Sequence, residues 1–513
     1  MKNKIKLMAF ILAAMSVLSS CGEKKQEADG KMTISWLPQC DSPVDADSPV
    51  MAKIEEELGI DIDLIYIDRS KKTELLNVRI AAGEIPDVFS PPEANTFGQY
   101  CDQGIIAEIP EDILMSKGKE LYEITKQNGG ENIWEYGKFD GKLYGIPLLN
   151  MQAKYPLVPI WRDDWLKKVG IDKIPETLEE AEAAFYAFSE KDPDGNGQRD
   201  TYGLSNNGMS AVYGAFGIQP EIWMEKDGKI VYTSTTEEMK QALMLLNKWY
   251  KDGVIDPEFI SGENKGQSWS NAVSFWNGKI GFSVPGMYYN VGEPTDLTAG
   301  SVNYVNFKKI QGDNATYKTA IPFKGADGKS GTLKWGVNSG AFLCVGRMVK
   351  DDAAKMEKII EINNRLVSDL DFYTLVRKGI ENVHYEIKDG RYVSLVDTTN
   401  DSLALSKLGL SSNGIGANSN NFDYLMEVTV DKFEVAEAIA NFEGYQNAVF
   451  GTLPSAAQYM TTISAKIKEA NVLFITGEKS FDEWDSYVAE LNSAGLETLT
   501  KEANDWYYKY NAR

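Results

Sequence analysis

The sequence predicts an α/β protein whose lobes are assembled from interleaved segments. Three observations carry that reading: a β-α-β-α-β order at the start of the folded part, several well-signalled amphipathic helices, and no linker or low-complexity tract after residue 31. A chain of 513 residues, 43% hydrophobic and 11% aromatic, can bury cores for two or three domains.

The folded part opens with "MTISWLP" (32–38) and "IDIDLIYID" (60–68) as strands, around a helix "VMAKIEEEL" that Gly59 ends. "KKTELLNVRIAAGE" then "IPDVFS" repeat helix and strand, which favours a parallel sheet covered by helices on both faces. "GKFDGKLYGIPLL" (137–149) reads as a tight hairpin. In "PETLEEAEAAFYAFSEKD", Thr177 and Glu180 form a capping box, and Leu178, Ala181, Phe185 and Phe188 share one helical face. Thr235 and Glu238 start the next helix and Gly253 ends it, while "IWMEKDGKIVYT" turns at Asp227-Gly228. The stretch from about 453 to 513 is mostly helical.

Ahead of the folded part, Lys2, Lys4 and Lys6 precede the apolar run "LMAFILAAMSVL", which has the length of a signal-peptide core and falls short of a spanning helix. The run ends in "LSSC", small residues directly before Cys21. This resembles a bacterial lipoprotein signal, which implies a signal peptide over 1–20, cleavage before Cys21 and a lipid on its thiol. "GEKKQEADGK" then serves as a tether over about 21–30.

Charge and composition exclude several function classes. A formal charge of −22 repels phosphate backbones, so no nucleic acid is expected as partner, and strongly anionic ligands are disfavoured. Beyond Cys21 the cysteines are Cys40, Cys101 and Cys344, an odd set with no C-x-x-C pair that allows one disulfide but no disulfide scaffold. His384 is the only histidine, which argues against a zinc site or a histidine-based triad. Its expected role is to hold a loop by hydrogen bonding.

Seven stretches together resemble a known family: "AAGEIPDVFS", "FDGKLYGIP", "IWRDDWLKKVGIDKIPETLEE", "DPDGNGQRDTYGLS", "WNGKIGF", "GIENVHYEIKDGRY" and the helical ending from "ITGEKSFDEW". They are similar, in order and over nearly the whole mature chain, to the extracellular solute-binding lipoproteins of ABC sugar importers, in the LipO-like and alginate-binding subgroup. The resemblance implies a type II periplasmic-binding fold with two lobes, a ligand cleft and crossovers near 150–156, 330–338 and 400–440. One lobe would comprise 31–152 plus about 336–410, the other about 153–335 plus 411–513. It further implies a monomer that is no enzyme, captures a carbohydrate in the cleft by hinge closure, and delivers it to ABC permease subunits from an extracytoplasmic lipid anchor.

Ligand residues are sought among aromatics, because sugar rings present flat C–H faces and their hydroxyls need polar partners. Trp36 ends the first strand, where ligands of open sheets gather. Trp161, Arg162 and Asp163 follow the first crossover, and Trp269, Tyr289 and Trp335 lie in loop-like segments or near a crossover. The competing role for each Trp is core packing. Trp165, Trp249, Trp276, Trp484 and Trp506 are assigned to packing, and Arg162 has an ion pair with Asp163 or a helix-face carboxylate as its alternative.

"DPDGNGQRDTYG" is the candidate metal loop. Asp192, Asp194 and Asn196 have the 1, 3, 5 spacing of a calcium hand, Gly197 permits its turn, Gln198 offers a carbonyl, and Asp200 stands at position 9. In the similar alginate-binding proteins a carboxylate directly after that aspartate completes the shell, and here the residue is Thr201, whose hydroxyl or a water would have to substitute. The position of the hand's closing glutamate is Gly203. The alternative is a solvated turn whose side chains bond their own backbone. Such an ion would be structural, since hard oxygen ligands fill its shell.

Three other functions compete. A glycoside hydrolase or lyase would need paired acids in one cleft, for which the adjacent Asp163 and Asp164 are poorly directed. A glycan-capturing or sensing surface lipoprotein without transport would use the same fold, as would a receptor for peptide or another polar nutrient.

Overall fold

The computed structural model describes residues 30–511, apart from 39, 41, 69–70, 92–93, 295–299, 389, 399–400, 402, 411–413, 416–421, 423–429 and 450–452. The signal segment, Cys21 and most of the tether lie outside the described residues.

The first sheet uses β1 (Thr33–Trp36), β2 (Asp61–Leu64), β3 (Val88–Phe89) and β4 (Gly145–Leu149). The second uses β5 (Val158–Trp161), β6 (Tyr202–Leu204), β7 (Ile280–Gly286) and β8 (Lys318–Thr319). After the short β9 (Thr332–Leu333), β10 (Asn338–Val345) returns to the first sheet, and β11 (Gly444–Tyr445) follows much later.

The first sheet has the order β2-β1-β3-β10-β4. β1 is parallel to β2 and β3, as the β-α-β-α-β order predicts, while β10 runs antiparallel to both β3 and β4. Its strands β3 and β4 and the second half of β10 are apolar on both faces. Trp36, Val88, Leu343 and Val345 point into one core, and Leu37, Phe89, Phe342 and Cys344 into a smaller one on the opposite side. Cys40, Cys101 and Cys344 all carry buried thiols, and burial pushes Cys101 up to about 12, so none is poised as a nucleophile.

The second sheet has the order β8-β5-β7-β6 and lies within a separate, larger core. That core takes residues from Ala153 to Phe323 and from Ala436 to Ala503. The first core takes Ile34 to Met151 and Leu343 to Ile415. Two cores fed by alternating stretches of one chain require the backbone to cross between them several times.

Local signals place most helices as expected. Pro49–Leu58 is capped by Ser48 and ends at Gly59, whose φ of 67° closes a left-handed cap. The Thr177 hydroxyl accepts from Glu180 N–H at 3.2 Å, although the Glu180 carboxylate takes Glu176 N–H at 2.9 Å rather than the cap's own amide. The helix Glu237–Lys251 begins one residue later than read from sequence: Thr236 is its cap, and Thr235 belongs to the preceding 3-10 turn. The hairpin Trp223–Lys226 with Lys229–Tyr232 turns at Asp227-Gly228, both at positive φ (53° and 76°). The expected 137–149 hairpin is shorter: only Lys138–Phe139 and Lys142–Leu143 pair, and Gly145–Leu149 leaves to join the main sheet. Among the described residues no helix is long and apolar enough to cross a membrane.

Candidate functional site

Three crossing segments are laced together between the two cores. β9 pairs in parallel with β11 through Thr332/Gly444 and Leu333/Tyr445. Leu157 N–H donates to Leu333 O at 3.0 Å, Gly336 N–H to Ala153 O at 3.0 Å, and Asn150 N–H to Val337 O at 2.8 Å. Thr332 Oγ1 adds a 2.6 Å bond to Leu157 O. The crossings therefore form a short hydrogen-bonded ribbon.

Trp335 stands on this ribbon and meets Trp269, which reaches it from the loop before the helix Val273–Trp276. Their rings are 4.5 Å apart at 56°, and they remain 45% (Trp269) and 38% (Trp335) exposed. Among the described residues no other tryptophan is comparably open to solvent. These exposed, tilted indoles offer two aromatic faces, with Gln267 and Asn271 two positions to either side of Trp269 in its loop and Gln446 beside Gly336 on the ribbon.

The remaining candidates are placed elsewhere, and several expectations need correction. Trp36 is 1% exposed, because β1 turns Ile34 and Trp36 together into the first core. Trp161 is 0% exposed, stacked on Phe185 at 5.3 Å and packed on Phe282 at 4.5 Å. Neither offers a face to a ligand. Arg162 is buried and pairs with Asp164, not Asp163: Nε and Nη2 reach its two oxygens at 2.8 and 2.7 Å. Its guanidinium also lies over Trp165 at 4.3 Å and Phe307 at 5.2 Å, a fixed cation–π sandwich. Asp163 is tied to Lys167 at 2.7 Å and Thr316 at 3.3 Å. The two acids thus serve separate ion pairs and do not converge as an acid–base couple. Tyr289 is half-buried, edge-on to Tyr288 at 5.3 Å.

The packing assignments hold for Trp165, Trp249, Trp276 and Trp484, all buried. Trp506 does more than pack locally: it stacks on Tyr136 of the first body at 5.7 Å and 28°. His384 Nδ1 accepts from Ile380 N–H at 3.1 Å, the loop-holding role expected of it. Two groups escaped the sequence reading. Tyr66, 39% exposed just beyond β2, was concealed by strand-like alternation, and Glu437, which accepts from Tyr155 Oη, carries no local signal.

The candidate metal loop follows the helix Leu178–Glu190. The Asp192 carboxylate accepts from Gly195, Asn196 and Gly197 N–H at 3.1, 3.1 and 2.9 Å. Asn196 Nδ2 bridges Asp194 at 2.9 Å and Asp200 at 3.1 Å. A hydrogen bond from the adjoining Asp194 and the Gly197 amide hold Asp192 below the usual carboxylate range, whereas desolvation and Asp192 push Asp194 up. Thr201 is a correction: it is 2% exposed and its hydroxyl donates to Phe188 O at 2.8 Å, so it belongs to the core. Gly203 is equally committed, since a Cβ there would stand 2.6 Å from Phe185 Cβ, leaving no room for a closing glutamate. Among the described residues no three His, Cys, Asp or Glu side chains are arranged to hold a metal.

Residues 50–360 match the family described as bacterial extracellular solute-binding protein. The chain belongs to that family. It is 26% identical over 521 residues to "Lipoprotein LipO" of Bacillus subtilis, covering 98% of each chain. It is 27% identical over 405 residues to the "Polygalacturonan/rhamnogalacturonan-binding protein YtcQ" of the same organism, covering 75% of this chain and 74% of that one. Among solved structures it resembles an EF-hand mutant of the S. pneumoniae ABC-transporter substrate-binding protein FusA in complex with fructo-nystose, with a TM-score of 0.66 and 18% identity over 94% of this chain and 99% of that one. The fold of this family member is the type II solute-binding fold that its sequence leads one to expect.

Proposed function

We propose that this solute-binding protein captures a neutral oligosaccharide between two lobes and presents it to the permease of an ABC importer. The observation that carries the reading is the solvent-open Trp269–Trp335 pair, seated where the crossing ribbon joins the two cores. Trp269 comes from a loop of the second core and Trp335 from the ribbon, so closure would press a sugar ring lying on the exposed faces of this touching pair against the opposite lobe. The lobes would follow the two cores, 31–152 plus about 336–415 and about 153–335 plus about 436–513. The sugar ligands in the names of YtcQ and FusA support a carbohydrate. The separate ion pairs of Asp163 and Asp164 favour binding without bond cleavage. The "LSSC" signal supports a lipoprotein held at the extracytoplasmic face of the membrane through Cys21, and the protein is proposed to act as a monomer.

Isothermal titration against neutral oligosaccharides, acidic oligosaccharides and peptides tests the ligand class. Heat with neutral oligosaccharides and no release of reducing ends is expected; heat with peptides alone would overturn the carbohydrate reading.

The loop is proposed as a calcium clip held by Asp192, Asp194, Asn196, Asp200 and the Gln198 carbonyl, with water in the place left by Thr201. The crowded Asp192–Asp194 carboxyls fit a hard cation, which would relieve their repulsion. Chelation is expected to lower the melting temperature and calcium to restore it, since an ion at 100 times its Kd adds about 2.7 kcal/mol. An unchanged melt would count against the clip.

A further inference from the structure

The geometry points to a second, fully buried site for a hard cation of the calcium class, held by Asp256 and Glu263 with the hydroxyls of Ser205 and Ser274. It lies inside the second core, apart from both the aromatic pair and the 192–200 loop.

Strand register brings the groups together. Leu204 bridges Ile255 on one side and pairs with Phe282 on the other, both in parallel. The next residues, Asp256, Ser205 and Ser283, therefore stand side by side and send their side chains to one face of the sheet. Ser283 Oγ donates to Glu263 Oε1 at 2.6 Å, which brings the second carboxyl over that face. Glu263 is held by its backbone as well: its N–H donates to Asn206 Oδ1 at 2.6 Å, and its carbonyl accepts from Ser274 N–H at 3.3 Å.

Asp256, Glu263, Ser205 and Ser274 are each 0% exposed. Yet Asp256 Oδ2, Glu263 Oε2, Ser205 Oγ and Ser274 Oγ all lack a hydrogen-bond partner within the protein. Buried polar atoms are ordinarily satisfied, so four orphans on residues that strand register and the Glu263–Ser274 backbone bond bring to neighbouring positions call for an occupant. The nearby bases do not supply it, because Lys265 and Lys279 both pair with the exposed Glu258, at 3.1 and 2.6 Å. Burial, with Asp256 close by, pushes the Glu263 carboxyl up to about 8, the behaviour of an acid that lacks a counter-charge. A divalent ion would neutralise both carboxylates. The donors are all oxygens, which selects calcium-like over thiophilic or imidazole-seeking metals, and ordered water would complete the shell.

The test separates this site from the surface clip. In the full chain carrying Asp192→Asn and Asp194→Asn, calcium is counted by elemental analysis after gel filtration from calcium-containing buffer. One ion per chain is expected to remain, and none would overturn the buried site. If the loop variant and the unaltered protein each keep one ion, the surface clip fails and the buried site stands. Adding Glu263→Gln should abolish the residual ion; should that variant not fold, Ser205→Ala in the same background is expected to weaken calcium at least ten-fold, and unaltered affinity would overturn the assignment. In a crystal grown with calcium, anomalous density is expected about 2.3–2.6 Å from Asp256 Oδ2 and Glu263 Oε2. Density without an anomalous signal, at water-like distances of about 2.8 Å, would mean water alone and overturn it.

Discussion

Replacing Trp269 and Trp335 together by alanine is expected to weaken oligosaccharide binding by roughly a hundred-fold or more while leaving the fold intact. A central aromatic anchor is worth about 2 kcal/mol or more, and every 1.4 kcal/mol is about ten-fold in affinity. The two rings touch at 4.5 Å, so the single replacements should not add simply: each alone disturbs the face offered by the other. Because both are solvent-open, their loss should change stability by no more than about 0.5 kcal/mol. Titration calorimetry on the two single variants and the double variant reads the first effect, and a urea melt the second. Unaltered affinity in the double variant would move the binding face away from the crossing ribbon, with Tyr66 beyond β2 the next position to examine.

Asp164→Ala is expected to be among the most damaging single changes, at about 3–5 kcal/mol of stability. Its side chain accepts hydrogen bonds from Nε and Nη2 of Arg162, a residue 2% exposed, and removing it leaves that charge between Trp165 and Phe307 without its carboxylate. Asp163→Ala is the informative neighbour. Its partners Lys167 and Lys318 have side chains 63% and 60% exposed, so those pairs are solvent-screened and the loss should stay near 1 kcal/mol or below. Denaturant melts of the two variants compare them directly. Equal losses would show that burial of the guanidinium does not control the difference.

The contrast between these adjacent acids shows what local sequence could and could not convey. "RDDW" states that a base and two acids are neighbours. Which acid receives the base depends on how the helix Asp163–Lys168 leaves β5, since that angle turns Asp164 toward Arg162 and Asp163 toward Lys167. The metal loop divides similarly. Its acidic spacing and glycines were legible, but Thr201 was read as a possible ligand when β6 pulls its hydroxyl inward to Phe188. Gly203, at the position of a hand's closing glutamate, is required by the close approach of Phe185.

The sequence by itself determined the α/β class, the parallel start of the first sheet, most helix ends, the family resemblance and the packing of Trp165, Trp249, Trp276 and Trp484. These follow from local physics: hydrophobic period, caps that satisfy free amides, and turn residues that accept positive φ all act within a few positions. Only the tertiary structure decided that Trp36 and Trp161 are core while Trp269 and Trp335 are open, and that Glu263 bonds Ser283 on the strand beside Ser205 and Asp256. An indole carries the same apolar surface in either place, and a buried acid has no special local pattern. What separates them is which distant strand lies alongside, and long-range pairing such as Leu204 with Phe282 is fixed by the packing of the whole core.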